Sequence, residues 1–225
     1  MGESISFRTN GRSTGAYLAR PSKPGPGIVV IQEWWGLVPH IEHVADRFAG
    51  EGYVALAPDL YHGKKTTSPD EAGKLMMSLA IDEAARDLAA AIDYLLALPE
   101  TTGAKVGTIG FCMGGALSLF AASKNPEVGA CVVFYGGHPN VKPDLASLRA
   151  PVLGLFGGRD TFVTPQVVAE LDRQMTQHGK RHTFHTYPDA PHAFFNDDRP
   201  EVYDAAAAKD AWAKTIAFLR QELGA

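Results

Sequence analysis

Two hydrophobic periodicities take turns along this chain. Between Ser4 and Thr9, Ile5 and Phe7 alternate with polar residues, and between Gly15 and Ala19, Ala16 and Leu18 share a face. Asn10 and Gly11 open the turn between the two runs, which predicts an antiparallel hairpin. Pro21 to Pro26 is rich in proline and glycine, poorly suited to ladder hydrogen bonds, and reads as a connector. Gly27 to Ile31 is apolar throughout, as in a strand buried on both faces. Tyr53–Ala57, Lys105–Gly110, Gly129–Tyr135, Pro151–Phe156 and His182–Tyr187 read as further strands.

Between these runs the apolar spacing turns helical. Ile41, Val44, Ala45 and Phe48 mark a helix from His40 to Ala49, stopped by Gly50 and Gly52. Ile81, Ala84, Leu88, Ile92 and Leu95 form a stripe ending near Pro99, and Met113 to Lys124 keeps helical spacing. Thr164 caps a helix with Pro165 at its first position and Gly179 after its end, with Val167, Leu171 and Met175 along it. Trp212, Ile216, Leu219 and Leu223 mark a closing helix, while Tyr61 to Asp70 reads as a surface loop. Strands alternating with helices predict an α/β fold, a mainly parallel sheet covered on both faces. With no internal repeat or linker, the expectation is one domain over residues 1–225.

Composition narrows the function classes. Lys plus Arg number 21 against 25 Asp plus Glu, a net charge of −4, which argues against nucleic acid or an anionic membrane as the main partner. No apolar run is long enough to cross a membrane, and the N-terminal stretch is polar from the start, so no secretory leader is expected. Cys112 and Cys131 make no disulfide framework and fit a reducing, cytoplasmic setting. Cys131 lies inside an apolar run and reads as packed strand.

Cys112 sits in Gly110-Phe111-Cys112-Met113-Gly114, where a strand turns into a helix. Glycines on either side of one reactive residue at such a turn are the signature of a nucleophile elbow, with cysteine here where serine is commoner. The plainer alternative is an ordinary buried thiol. Two further polar residues follow strand ends: Asp160 after Gly157-Gly158-Arg159, and His192 in Ala190-Pro191-His192-Ala193-Phe194. Alone, Asp160 could stabilise a turn and His192 could be a surface histidine. Nucleophile, acid and histidine falling in that order after strands favour a triad. His192 would take the thiol proton and return it to a leaving group, and Asp160 would hold the imidazole tautomer. The backbone N–H of Met113, and one from the loop at Trp34, would receive the oxyanion.

Gln32-Glu33, Pro58-Asp59-Leu60-Tyr61, Gly110 to Gly115, Gly158-Arg159-Asp160 and His192-Ala193-Phe194 together resemble the dienelactone hydrolase family. The resemblance runs from about Gly27 to about Phe194. It implies an α/β-hydrolase fold without a large lid domain, and hydrolysis of an enol-lactone through a cysteinyl acyl-enzyme. It also implies that Glu33 contacts the thiol and helps to generate thiolate when substrate binds. A carboxylate at the end of a buried strand beside Trp34 and Trp35 is placed to face a cleft.

The departures concern substrate. The family's dienelactone-cleaving members hold the substrate carboxylate with two arginines. One of those positions carries Asn196 here, and the other falls near Pro69, with no arginine close. Arg199, Arg159, Lys64 or Lys65 are the available substitutes. Trp35, Tyr61, Phe194 and Arg199 are therefore taken as candidate substrate-binding residues, for a lactone or small carboxylic ester. A general small-ester or thioester hydrolase is the second expectation, and a non-catalytic redox sensor or binding protein the third. No cofactor is expected. Although the chain has 8 histidines, His182 and His185 face opposite sides of a strand, and His40 with His43 lack a third ligand and read as solvated helix residues.

Overall fold

The computed structural model describes residues 2–9 and 11–224; Asn10, expected to open the first turn, lies outside them. In chain order the elements are β1 (Glu3–Thr9), β2 (Arg12–Ala19), β3 (Gly25–Ile31), α1 (Pro39–Gly50), β4 (Val54–Pro58), α2 (Pro69–Ser78) and α3 (Ile81–Ala97). They continue with β5 (Thr101–Phe111), α4 (Met113–Lys124), β6 (Val128–Phe134), β7 (Val152–Gly157), α5 (Pro165–Gln177), β8 (His182–Tyr187) and α6 (Ala205–Leu223). The strands form one sheet in the order β1-β2-β4-β3-β5-β6-β7-β8. From β4 to β8 every pairing is parallel; β2 alone runs against the rest, pairing antiparallel with both β1 and β4.

Burial follows the periodicities. β3 and β6 are buried at every position, while β8, at the far edge, is half-buried and none of its residues is fully covered. The chain passes from β3 outward to β4, then returns across β3 to begin β5. Right-handed crossovers in opposite directions put their helices on opposite faces. Accordingly α1 meets α6, with the Phe48 and Trp212 rings 4.5 Å apart, while α3 packs against α4. The reversal leaves a crevice between the carboxyl ends of β3 and β5, where open α/β sheets bind ligands.

Three readings are corrected. The connector ends sooner than expected, because Gly25 and Pro26 already pair with Thr101 and Thr102, with a register shift before Ile28. The Tyr61–Asp70 loop stops at Ser68. There Pro69 at the first helical position, with Asp70 and Glu71 in the first turn, starts a helix that buries Ala72 and Met76. β5 begins at Thr101 rather than Lys105. No helix among the described residues is long and apolar enough to cross a membrane.

Candidate active site

Cys112 is the single residue between β5 and α4, and its backbone is held at φ 54° and ψ −121°. Positive φ is unfavourable for any side chain with a Cβ, so the neighbours must enforce it. They do so by close backbone approach. A Cβ on Gly110 would lie 1.8 Å from the Gly114 carbonyl oxygen, and one on Gly114 would lie 2.4 Å from those of Ile31 and Gln32. The Cys112 N–H donates to the Phe134 carbonyl (3.1 Å), and its own carbonyl accepts from Gly115 (2.9 Å) and Gly137 (3.2 Å). The thiol stands at the head of α4, beside N–H groups that have no acceptor within the helix.

Asp160 follows β7 and is buried; its Oδ1 accepts from the N–H groups of Phe162 and Val163, both at 2.8 Å. Its Oδ2 lies 2.6 Å from Nδ1 of His192, which follows β8. A carboxylate only accepts, so Nδ1 carries the proton and Nε2 is free for the sulfur. Burial pulls the His192 imidazole down. Hydrogen bonds to Asp160 and Cys112, with the charges of both, outweigh that and raise it to about 10.

Cys112 and His192 line one cavity of about 260 Å³, and Glu33, Trp34, Trp35 and Arg199 also border it. Glu33, at the end of β3, is 1% exposed. Asn196 Nδ2 donates to its Oε2 at 2.7 Å and the Tyr135 hydroxyl to its Oε1 at 3.3 Å. Burial, with the Glu33 and Cys112 charges beside it, pushes the Tyr135 phenol well up.

Residues 14–223 match the model of the dienelactone hydrolase family. The chain belongs to that family. It is 38% identical over 230 residues to the protein usf of Aquifex pyrophilus, covering 99% of this chain and 100% of the relative. A protein of Aquifex aeolicus, named there as a candidate carboxymethylenebutenolidase, is 34% identical over the same shares of both chains. The crystal structure of a candidate dienelactone hydrolase from Klebsiella pneumoniae superposes with a TM-score of 0.89 at 29% identity, covering 98% of each chain. The fold is thus an α/β-hydrolase fold, and the protein a hydrolase of the dienelactone hydrolase type.

Within this dienelactone hydrolase relative, two expected substrate contacts fall elsewhere. Tyr61 is buried and borders a neighbouring cavity; its hydroxyl donates to the Met113 sulfur at 3.3 Å. Burial, reinforced by the Cys112 charge, pushes its phenol up. Phe194 is fully buried among Phe134, Tyr135 and Tyr187, because the aromatic residues after His192 turn into the core. Met76, Thr161, Phe162 and Ala193 take the places at the cavity wall. Asp160-Thr161-Phe162 follows β7, so adjacency to a candidate acid was the available signal for Phe162; nothing local marked Met76.

His40 also departs from expectation. It is buried, with Nδ1 3.1 Å from Asp197, whereas His43 is exposed. His40, Asp197 and Asp198 are the group among the described residues whose donor atoms could converge on a metal, within 4.8 Å of one another. Arg47 already faces the other Asp197 oxygen at 3.8 Å and supplies positive charge there.

Proposed function

We propose that this protein hydrolyses a lactone or small carboxylic ester through a cysteinyl acyl-enzyme, the whole chain acting as one α/β-hydrolase domain. The Cys112 thiolate attacks the carbonyl carbon, and the carbonyl electron pair moves onto oxygen, which the N–H groups of Met113 and Trp34 receive. Collapse of this intermediate breaks the ester C–O bond, and the leaving oxygen takes the proton from His192. In a lactone that oxygen stays tethered to the acyl group. His192 then removes a proton from water, which attacks the thioester. The C–S bond breaks, the acid leaves, and the thiolate is restored.

The observation that carries this reading is the 2.6 Å Asp160–His192 contact, with an imidazole raised by Cys112 as well as by Asp160. Glu33 borders the same cavity and would favour thiolate formation as substrate displaces water. Asn196 occupies the position that resemblance would give to a carboxylate-binding arginine, and it is spent on Glu33. That favours the second reading of substrate, a general uncharged ester, over the dienelactone itself. The two free, buried thiols fit a cytoplasmic location.

Rapid-quench mass spectrometry with a lactone and 4-nitrophenyl acetate tests the chemistry. An acyl adduct on Cys112 is expected within the first turnover. Cys112→Ala should lower the rate by about 10³-fold or more with the fold retained. Turnover without the adduct, or undiminished in Cys112→Ala, overturns the proposal.

A further inference from the structure

Beside the cavity that holds Cys112 lies a second one of about 300 Å³, and the two share Trp35 and Arg199. Other walls of the second cavity come from Val38 and Pro39 at the start of α1, and from Thr67 ahead of α2. The shared wall includes the side chains of Trp35 and Arg199, which stack on one another. The Arg199 guanidinium carbon lies 5.2 Å from the Trp35 ring centroid, and its Nε donates to Glu201 at 2.9 Å. An exposed ion pair of that kind holds its partners weakly, so this wall can yield to a ligand where a backbone wall could not.

The chemistry proposed above sets a direction. The leaving oxygen has to meet His192, so the leaving group lies along the His192 side, by Thr161 and Phe162. The other substituent of the carbonyl then faces Trp34 and Trp35, and the second cavity opens beyond Trp35. From this we infer that the second cavity is an acyl-chain subsite, and that the substrates are esters of an extended, uncharged, medium-chain acid. This rests on the hydrolase reading. Val38, Pro39 and the Trp35 ring give the subsite an apolar lining. Arg199 on the shared wall has its charge offset by its pair with Glu201, so the carboxylates of Asp198 and of Glu33 in the first cavity disfavour an acyl group ending in carboxylate.

The test compares 4-nitrophenyl esters from acetate to decanoate on the full chain and on Thr67→Phe, which narrows the subsite from its exposed side. kcat/KM is expected to rise from acetate to octanoate by about fourfold for each methylene buried. Thr67→Phe should cut the octanoate-to-acetate ratio at least tenfold, and Val38→Phe, on another wall, should do the same. A ratio that is flat with length, or one that both variants leave alone, overturns the subsite. Binding is read separately from turnover, by tryptophan fluorescence of Cys112→Ala titrated with methyl octanoate. Half-saturation should need at least tenfold more ester once Thr67→Phe is added. That contrast without hydrolysis of any ester overturns the hydrolase reading and keeps the subsite. Equal binding by both proteins overturns the subsite.

Discussion

Glu33 is a buried carboxylate at the cavity wall, held by two neutral donors, Asn196 and Tyr135. Burying a charge is costly unless hydrogen bonds replace its hydration, so these two contacts fix both its place and its orientation. Glu33→Gln keeps the shape and can still accept from Asn196 through its carbonyl, yet it removes the charge. Single-turnover acylation should slow by about tenfold or more, while Tm moves by roughly 3 °C or less. Unchanged acylation would make Glu33 a bystander. At His192 the sulfur is one of the causes that raise the imidazole, so in Cys112→Ala its NMR titration should fall below about 10. The folded imidazole titrates near 10 and an unfolded one at 6.5. Its contribution to stability is therefore complete below pH 6.5 and is lost as pH rises through 10. In denaturant unfolding, the advantage of the wild type over His192→Gln should shrink across that window. That Cys112, Asp160 and His192 come together was legible because each follows a strand end in a recognisable order. Tyr61 and Phe194 fall outside the wall of the Cys112 cavity; proximity to a motif says nothing about which way an aromatic ring turns. The Asn196–Glu33 bond joins residues 163 positions apart, beyond any local pattern.

Among the elements, the turn from β5 into α4 tolerates least. A Cβ on Gly114 would meet the carbonyl oxygens of Ile31 and Gln32 at 2.4 Å, and both belong to backbone that cannot rotate away. Gly114→Ala should cost about 2–4 kcal/mol, read as a lowered Tm or loss of soluble protein. Gly50, at the end of α1, has nothing within 4 Å of its would-be Cβ. Gly50→Ala is expected to be neutral or to add up to about 1 kcal/mol, so the pair separates close approach from glycine content. The same distinction explains which elements could be read from the chain. Interior strands and the stripes of α1 and α3 carry strong periodicity because both are packed against the sheet. α2 buries only Ala72 and Met76, so its stripe is faint, although Pro69 and the acidic first turn announced its start. β5 extends backward to Thr101 because Gly25 and Pro26 supply a partner, a tertiary fact with no trace in residues 101–105 themselves.

At the scale of the whole molecule, the site depends on one segment that no strand contains. Residues 192–204 carry His192, Asn196 and Arg199, and they lie between β8 and α6. Arg47 of α1 fastens this segment. Its guanidinium carbon sits 4.3 Å from the Trp212 ring centroid of α6 and 5.0 Å from that of Phe195, and its Nη1 faces Asp197 at 3.8 Å. Stacking on two rings uses the planar guanidinium, which lysine cannot reproduce. Arg47→Ala should cost about 1–2 kcal/mol, a Tm drop of roughly 2–8 °C. Arg47→Lys should recover only part of it. Because the clamp acts on the segment that sets His192 against Asp160, the alanine variant should also lose kcat, with KM for a small ester moving less. Equal stability of wild type and Arg47→Ala would mean that packing of Phe194 and Phe195 alone holds the segment. In that case the polar contacts around Asp197 would have no part in placing the imidazole.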